Sequence, residues 1–83
     1  MRKTLNEGCF CGCNSTDLHP HEPYGGRNRQ LSIKYGMVLA IDNKEHRYVH
    51  DNPKCPLDLE MKAYVRKHFE DTYPELDFIE IFK

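Results

Sequence analysis

Four cysteines and five histidines in a chain of 83 residues, most of them in two short clusters, restrict this protein more than any other feature of its sequence. The first cluster is Cys9-Phe10-Cys11-Gly12-Cys13 followed by His19-Pro20-His21, and the second is His46-Arg47-Tyr48-Val49-His50. A chain of this length reads as one domain, and it buries only about 60% of the surface its unfolded form exposes, so it benefits from a staple. Disulfides suit the role poorly. Cysteines at alternate positions are too close to pair easily with each other, and only Cys55 remains as a distant partner. The opening Met1-Arg2-Lys3-Thr4 carries no apolar h-region, so reduced thiols in a cytosol are the expectation. Thiols and imidazoles in this number point to a bound transition metal, with zinc the expected cofactor.

No run of the sequence approaches the ~20 apolar residues of a membrane span, and no membrane partner is expected. The formal net charge of −1 makes no global case for nucleic-acid binding, although charge is unevenly placed. Residues 24–35 carry Arg27, Arg29 and Lys34 without an acid, and residues 69–82 carry Glu70, Asp71, Glu75, Asp77 and Glu80 without a lysine or arginine. The three basic residues can meet phosphates but are too few to hold DNA strongly by themselves. An ordinary solvated loop and an ordinary solubilising acidic end are the plain readings of the two runs.

Residues 1–8 read as a polar lead-in to a domain over residues 9–83. Residues 9–16 form a Gly- and Cys-containing turn, residues 17–21 a short strand made irregular by Pro20, and residues 22–30 a loop marked by Pro23 and Gly25-Gly26. Leu31, Ile33, Tyr35, Met37, Leu39 and Ile41 share one parity, which predicts an extended strand over residues 31–42 bent at Gly36. Asn43 is placed to cap a helix over residues 44–51, and Asn52-Pro53 closes the unit. A second helix is expected over residues 57–72, with Met61, Tyr64, Val65, His68 and Phe69 inward, stopped by Pro74. The tail reads as a strand or, preferably, a short helix with Phe78, Ile79 and Phe82 inward. Cys55 is expected to be a bystander.

Strand histidine, loop, strand and histidine-bearing helix make a ββα order, so the fold class expected is α+β: a zinc-stabilised ββα-metal unit over residues 9–52 and a helical part over residues 53–83. His46 and His50 lie four apart on a helix and aim two imidazoles at one ion. His19 and His21, two apart on a strand, share a face, so either both approach the metal or one binds it and the other acts as a base. Cys9, Cys11 and Cys13 can give two or three thiolates to a zinc, although all three on one ion strain the turn. The candidate metal ligands are therefore Cys9, Cys11, Cys13, His21, His46 and His50, in one mixed site by preference or in two. Each piece also has an ordinary reading: a helical His-x3-His as surface decoration, isolated cysteines as small buried hydrophobes, His68 as a packing residue.

The stretches Cys9 to Gly12, Leu18-His19 with His21, Gly25-Gly26-Arg27-Asn28-Arg29, Ser32 to Val38, His46 to His50 and Phe69 to Phe82 resemble small HNH-type, or His-Me finger, endonuclease-like proteins of bacteriophages. The resemblance implies a ββα-metal fold in which His46 and His50 are ligands, one of His19 and His21 is the third, and the other is the general base that activates water against a phosphodiester. The chain departs from that pattern. Pro20 separates strand histidines that are usually adjacent, the polar residue that often follows the strand is replaced near Gly36, and Asp42 and the neighbourhood of Glu45 stand where relatives carry the cysteines or histidine that complete a zinc knuckle.

Two functions follow as expectations. The one preferred from the sequence is a degenerate, non-catalytic zinc protein of phage origin, of anti-CRISPR type. It would act in the host cytoplasm by protein–protein interaction, inhibiting a host defence enzyme such as an RNA-guided CRISPR nuclease. Its acidic residues would enter a positively charged nucleic-acid channel and interfere with target DNA or guide RNA. The alternative is an active metal-dependent HNH endonuclease or nickase on DNA. A purely structural or DNA-binding zinc module fits the acidic balance least.

Overall fold

The period-two run of residues 31–42 divides into a helix and a strand in the computed structural model, which describes residues 4–82. Met1 to Lys3 of the lead-in, and Lys83, lie outside the described residues. In chain order the elements are β1 (Leu18–His21), a 3-10 turn (Gly26–Asn28), α1 (Arg29–Lys34), β2 (Leu39–Asp42), α2 (Asn43–Asp51), α3 (Pro56–Thr72) and α4 (Phe78–Ile81). This is a small α+β architecture around a two-stranded sheet.

The expected strand over residues 31–42 is corrected to β2 alone, because local capping overrides the alternation in its first half. Gly36 takes a left-handed φ of +74°. There Met37 N–H bonds Ser32 C=O at 2.8 Å and Gly36 N–H bonds Ile33 C=O at 3.2 Å, the Schellman pairing that closes a helix. Ser32 is buried and donates its hydroxyl to Tyr24 C=O at 2.7 Å, which ties α1 to the preceding loop.

β1 and β2 pair antiparallel with Leu18 opposite Asp42 and His21 opposite Leu39. Pro20 faces Ala40 and costs the ladder nothing. The Ala40 N–H and C=O both point to the other edge of β2, where Asn6 Oδ1 accepts the former at 2.8 Å and Phe10 N–H bonds the latter at 2.8 Å. Leu5 N–H adds a bond to Val38 C=O at 2.8 Å. Part of the polar lead-in thus lies along β2 and covers an edge that would otherwise be open.

Asp42, not Asn43, caps α2: its carboxylate accepts Lys44 N–H at 2.8 Å and the Ser15 hydroxyl. Both hydrogen bonds, the Ser15 one foremost, hold the Asp42 carboxyl below its usual range. Pro56 opens α3 at its first turn, where the missing N–H is no loss. Buried Asp58 accepts Lys54 N–H at 3.1 Å and pairs with Lys62 at 3.0 Å. Cys55, expected to be a bystander, is buried in the core at the N-cap position of α3, where its side chain makes no capping bond.

The core is built from Met37, Leu39 and Ile41 at and before β2, Val49 of α2, Met61, Val65 and Phe69 of α3, and Phe78 and Phe82 at α4. Three same-side residues spaced by four make α3's buried stripe narrower than expected; Tyr64 is exposed and His68 half-buried. The tail is helical as expected, with Phe78 and Phe82 stacked at 4.7 Å between centroids. Ile79 is the correction there: one step round a helix points it outward, and it is 60% exposed.

Candidate metal centres

Both clusters converge on the β2–α2 junction, and they do so as two groups of donors. Cys9, Cys11, Cys13 and Glu45 place one ligand atom each within 4.8 Å of one another, as do His21, His46 and His50. Each group lies close enough to hold a metal ion. The single mixed Cys/His site preferred from the sequence is corrected to these two, for a helical reason. Glu45 and His46 are consecutive on α2, so their side chains leave the axis about 100° apart. One meets the N-terminal loop and the other meets β1.

In the thiol group, Cys9 is buried while Cys11 and Cys13 are exposed. Cys9 Sγ lies 3.1 Å from Cys11 Sγ. Glu45 Oε1 stands 3.7, 2.8 and 3.9 Å from the sulfurs of Cys9, Cys11 and Cys13. The bond lengths of a tetrahedral zinc site with thiolate and carboxylate ligands imply S···O separations of about 3.6 Å, so the carboxylate is within ligand reach. The crowding has an electrostatic signature. Glu45, then Cys9, pushes the Cys11 thiol far above its ordinary range, whereas the backbone N–H of Ser15 and the neighbouring thiols lower Cys13. Three sulfurs and one carboxylate are a donor set that could hold a divalent ion. Glu45 is the one member of this group that the sequence did not mark as a candidate ligand. Asp42, shortly before it in the chain, turns to α2 and Ser15 instead.

In the histidine group, His46 Nε2 and His50 Nε2 are 3.1 Å apart. Two nitrogens on a tetrahedral zinc are expected about 3.3 Å apart. The His21 ring lies 5.2 Å from that of His46 and 6.0 Å from that of His50. His21 is only 7% exposed, and its Nε2 has no hydrogen-bond partner among the described residues. Burial first, then the positive charge that His46 and His50 can carry, lowers its pKa to about 4. It is a neutral imidazole at pH 7, the form a metal requires. Burial and the neighbouring histidines also lower His46. His50 is exposed, so the group opens to solvent on that side.

His19 shares β1's face with His21 but stays out of the donor group. Its Nε2 sits 3.1 Å from Asp17 Oδ1, and its ring is 5.9 Å from that of His46. Of the three basic residues, Arg29 reaches this neighbourhood, with Nε 3.5 Å from the carboxylate of Glu22, which follows His21. Arg27 is exposed on the 3-10 turn. Lys34 instead lies over the Tyr35 ring at 5.4 Å and lines a separate cavity of about 530 Å³ with Tyr73 and His68. The five acidic residues Glu70, Asp71, Glu75, Asp77 and Glu80 are all exposed. Glu70 pairs with Arg66 at 3.6 Å, Asp71 with Lys67 at 3.1 Å, and Asp77 caps α4 through Ile79 N–H at 3.0 Å. No described helix is long and apolar enough to cross a membrane. Comparison of the chain with protein-family models, curated proteins and solved structures returned no match.

Proposed function

We propose that the chain is an HNH-like, metal-dependent phosphodiesterase acting on nucleic acid, with zinc in the thiol group as a structural staple. The observation that carries the reading is the buried, unpartnered Nε2 of His21 beside the imidazoles of His46 and His50. Three imidazole donors with a solvent-facing side are the pattern of a catalytic ion with an open position, whereas a four-donor group of three thiols and a carboxylate is that of a closed one. Bound to the three histidines, a divalent ion supplies Lewis-acid stabilisation of charge on a scissile phosphate. His19 is the general base: Asp17 accepts its Nε2–H, fixing the tautomer that leaves Nδ1 free to take a proton from water. Arg29, paired with Glu22, which follows His21 in the chain, orients the phosphate.

The test is cleavage of supercoiled plasmid with zinc, magnesium, manganese or nickel supplied. Nicking is expected, abolished by His21→Ala and lowered roughly 100-fold or more by His19→Ala. Absence of nicking from metal-loaded wild-type protein contradicts it.

A second reading is the phage-borne inhibitor that binds a host defence nuclease in the host cytoplasm. The exposure of Glu70, Asp71, Glu75, Asp77 and Glu80 favours it. The engagement of Glu70, Asp71 and Asp77 within their own helices draws on the same charge and weighs against it. No nicking, together with recovery of an RNA-guided nuclease by the wild type but not by a Glu70→Lys/Glu75→Lys variant, supports this reading.

A further inference from the structure

We infer that the cysteine cluster is a redox-sensitive switch on the histidine centre, operated by reversible joining of Cys9 and Cys11. The inference rests on the reading of the histidines as a metal centre and adds a regulation to it. Three observations carry it. Cys11 is exposed and its sulfur lies 3.1 Å from that of buried Cys9, so an oxidant reaches one thiol with a second in place to resolve it. Cys9 Sγ also accepts the backbone N–H of Asp42 at 3.3 Å, and Asp42 caps α2. Glu45 of the cysteine cluster and His46 of the histidine centre are consecutive in the first turn of that helix. What happens at the sulfurs therefore acts on the same turn that presents His46.

With a peroxide as oxidant, the Cys11 sulfur, a thiolate while it is bound to an ion, attacks the O–O bond, which breaks to leave a sulfenic acid and hydroxide. The Cys9 thiolate then attacks that sulfur; the S–S bond forms, the S–O bond breaks and a second hydroxide leaves. Two thiolates lose two electrons, the peroxide gains two, and two solvent protons turn the hydroxides to water. The sulfurs give up their ion, which keeps its charge. A disulfide two residues apart in sequence is strained, hence readily reduced by a dithiol, which makes the step reversible. In the joined state Cys9 is a poorer acceptor for Asp42 N–H and Glu45 loses its cation. The first turn of α2 loosens, and His46 is held less firmly toward His21 and His50.

The experiment uses the full chain loaded with cobalt(II), whose sulfur charge-transfer and d–d bands report the thiolate and histidine sites separately. Two equivalents bound, one removed by His21→Ala, establish the histidine site before any oxidant is added. Hydrogen peroxide at one equivalent is then expected to consume two thiols and bleach the charge-transfer band. Affinity at the histidine site, measured by chelator competition, is expected to weaken roughly 10-fold, within the ordinary range of intersite coupling. Dithiothreitol with fresh cobalt restores both. A Cys11→Ser variant is expected to keep its histidine-site affinity unchanged by peroxide. Oxidation that leaves that affinity within about twofold in the wild type, or thiol loss that dithiothreitol does not reverse, overturns the switch alone. Binding of a single equivalent, insensitive to His21→Ala, overturns the histidine centre and the switch together.

Discussion

His21 and Glu45 are the residues on which the two centres turn, and their legibility in the sequence differs. His21 was visible: a strand histidine upstream of a helical His-x3-His pair is a spacing with few alternative uses. Its burial was not, because that depends on β2 and α2 closing over it. Glu45 is one of 13 acidic residues, with nothing local to mark it; only the approach of the N-terminal loop brings its carboxylate within reach of three sulfurs. The environment of His21 has a consequence in the metal-free protein. Its pKa falls from 6.5 to about 4 on folding. Between those values the unfolded chain binds a proton that the folded chain refuses. The full stability is therefore present above pH 6.5 and is lost as the pH falls toward 4, by about 3 kcal/mol at ~1.4 kcal/mol per pH unit. Urea unfolding of metal-free protein at pH 7 and pH 4.5 measures it. The wild type should lose more stability across that interval than His21→Leu; equal losses contradict the assignment.

At the scale of elements, α2 and α3 were readable because flanking prolines and i,i+4 spacings agree with one another, although the cap of α2 falls one residue earlier than expected and the tail reads as either strand or helix. The strand expected over residues 31–42 was half wrong for an instructive reason. Leu31, Ile33 and Tyr35 alternate as a strand would, yet Ser32 between them is buried against the Tyr24 carbonyl and Gly36 closes a helix. Period two over six residues cannot exclude a single helical turn or two when a glycine follows. Nothing lies within 4 Å of where a Cβ at Gly36 would stand, so a side chain there meets backbone strain and no clash. Gly36→Ala should cost roughly 1–2 kcal/mol in thermal or denaturant unfolding, with metal stoichiometry unchanged. A neutral substitution would mean that residue 36 is not held left-handed. Pro20 looked like a defect in the sequence and is not one, because the pairing register aims Ala40's backbone groups away from it.

Across the whole molecule, a core of ten buried side chains supports two donor groups that share one helix. A core this small leaves stability resting partly on whatever joins the N-terminal loop to α2, and the cysteine–Glu45 group spans that junction. The α+β class and the wealth of potential metal ligands were legible from composition and order alone. The division into two centres was not, since it depends on a 100° step between adjacent residues on α2. The most direct test is metal stoichiometry by elemental analysis and native mass spectrometry at saturating zinc. The wild type should hold two ions. His21→Ala and a Cys11→Ser/Cys13→Ser variant should each hold one, and chelation of the wild type should lower its melting temperature. A wild-type chain that holds one ion, or none, contradicts the account.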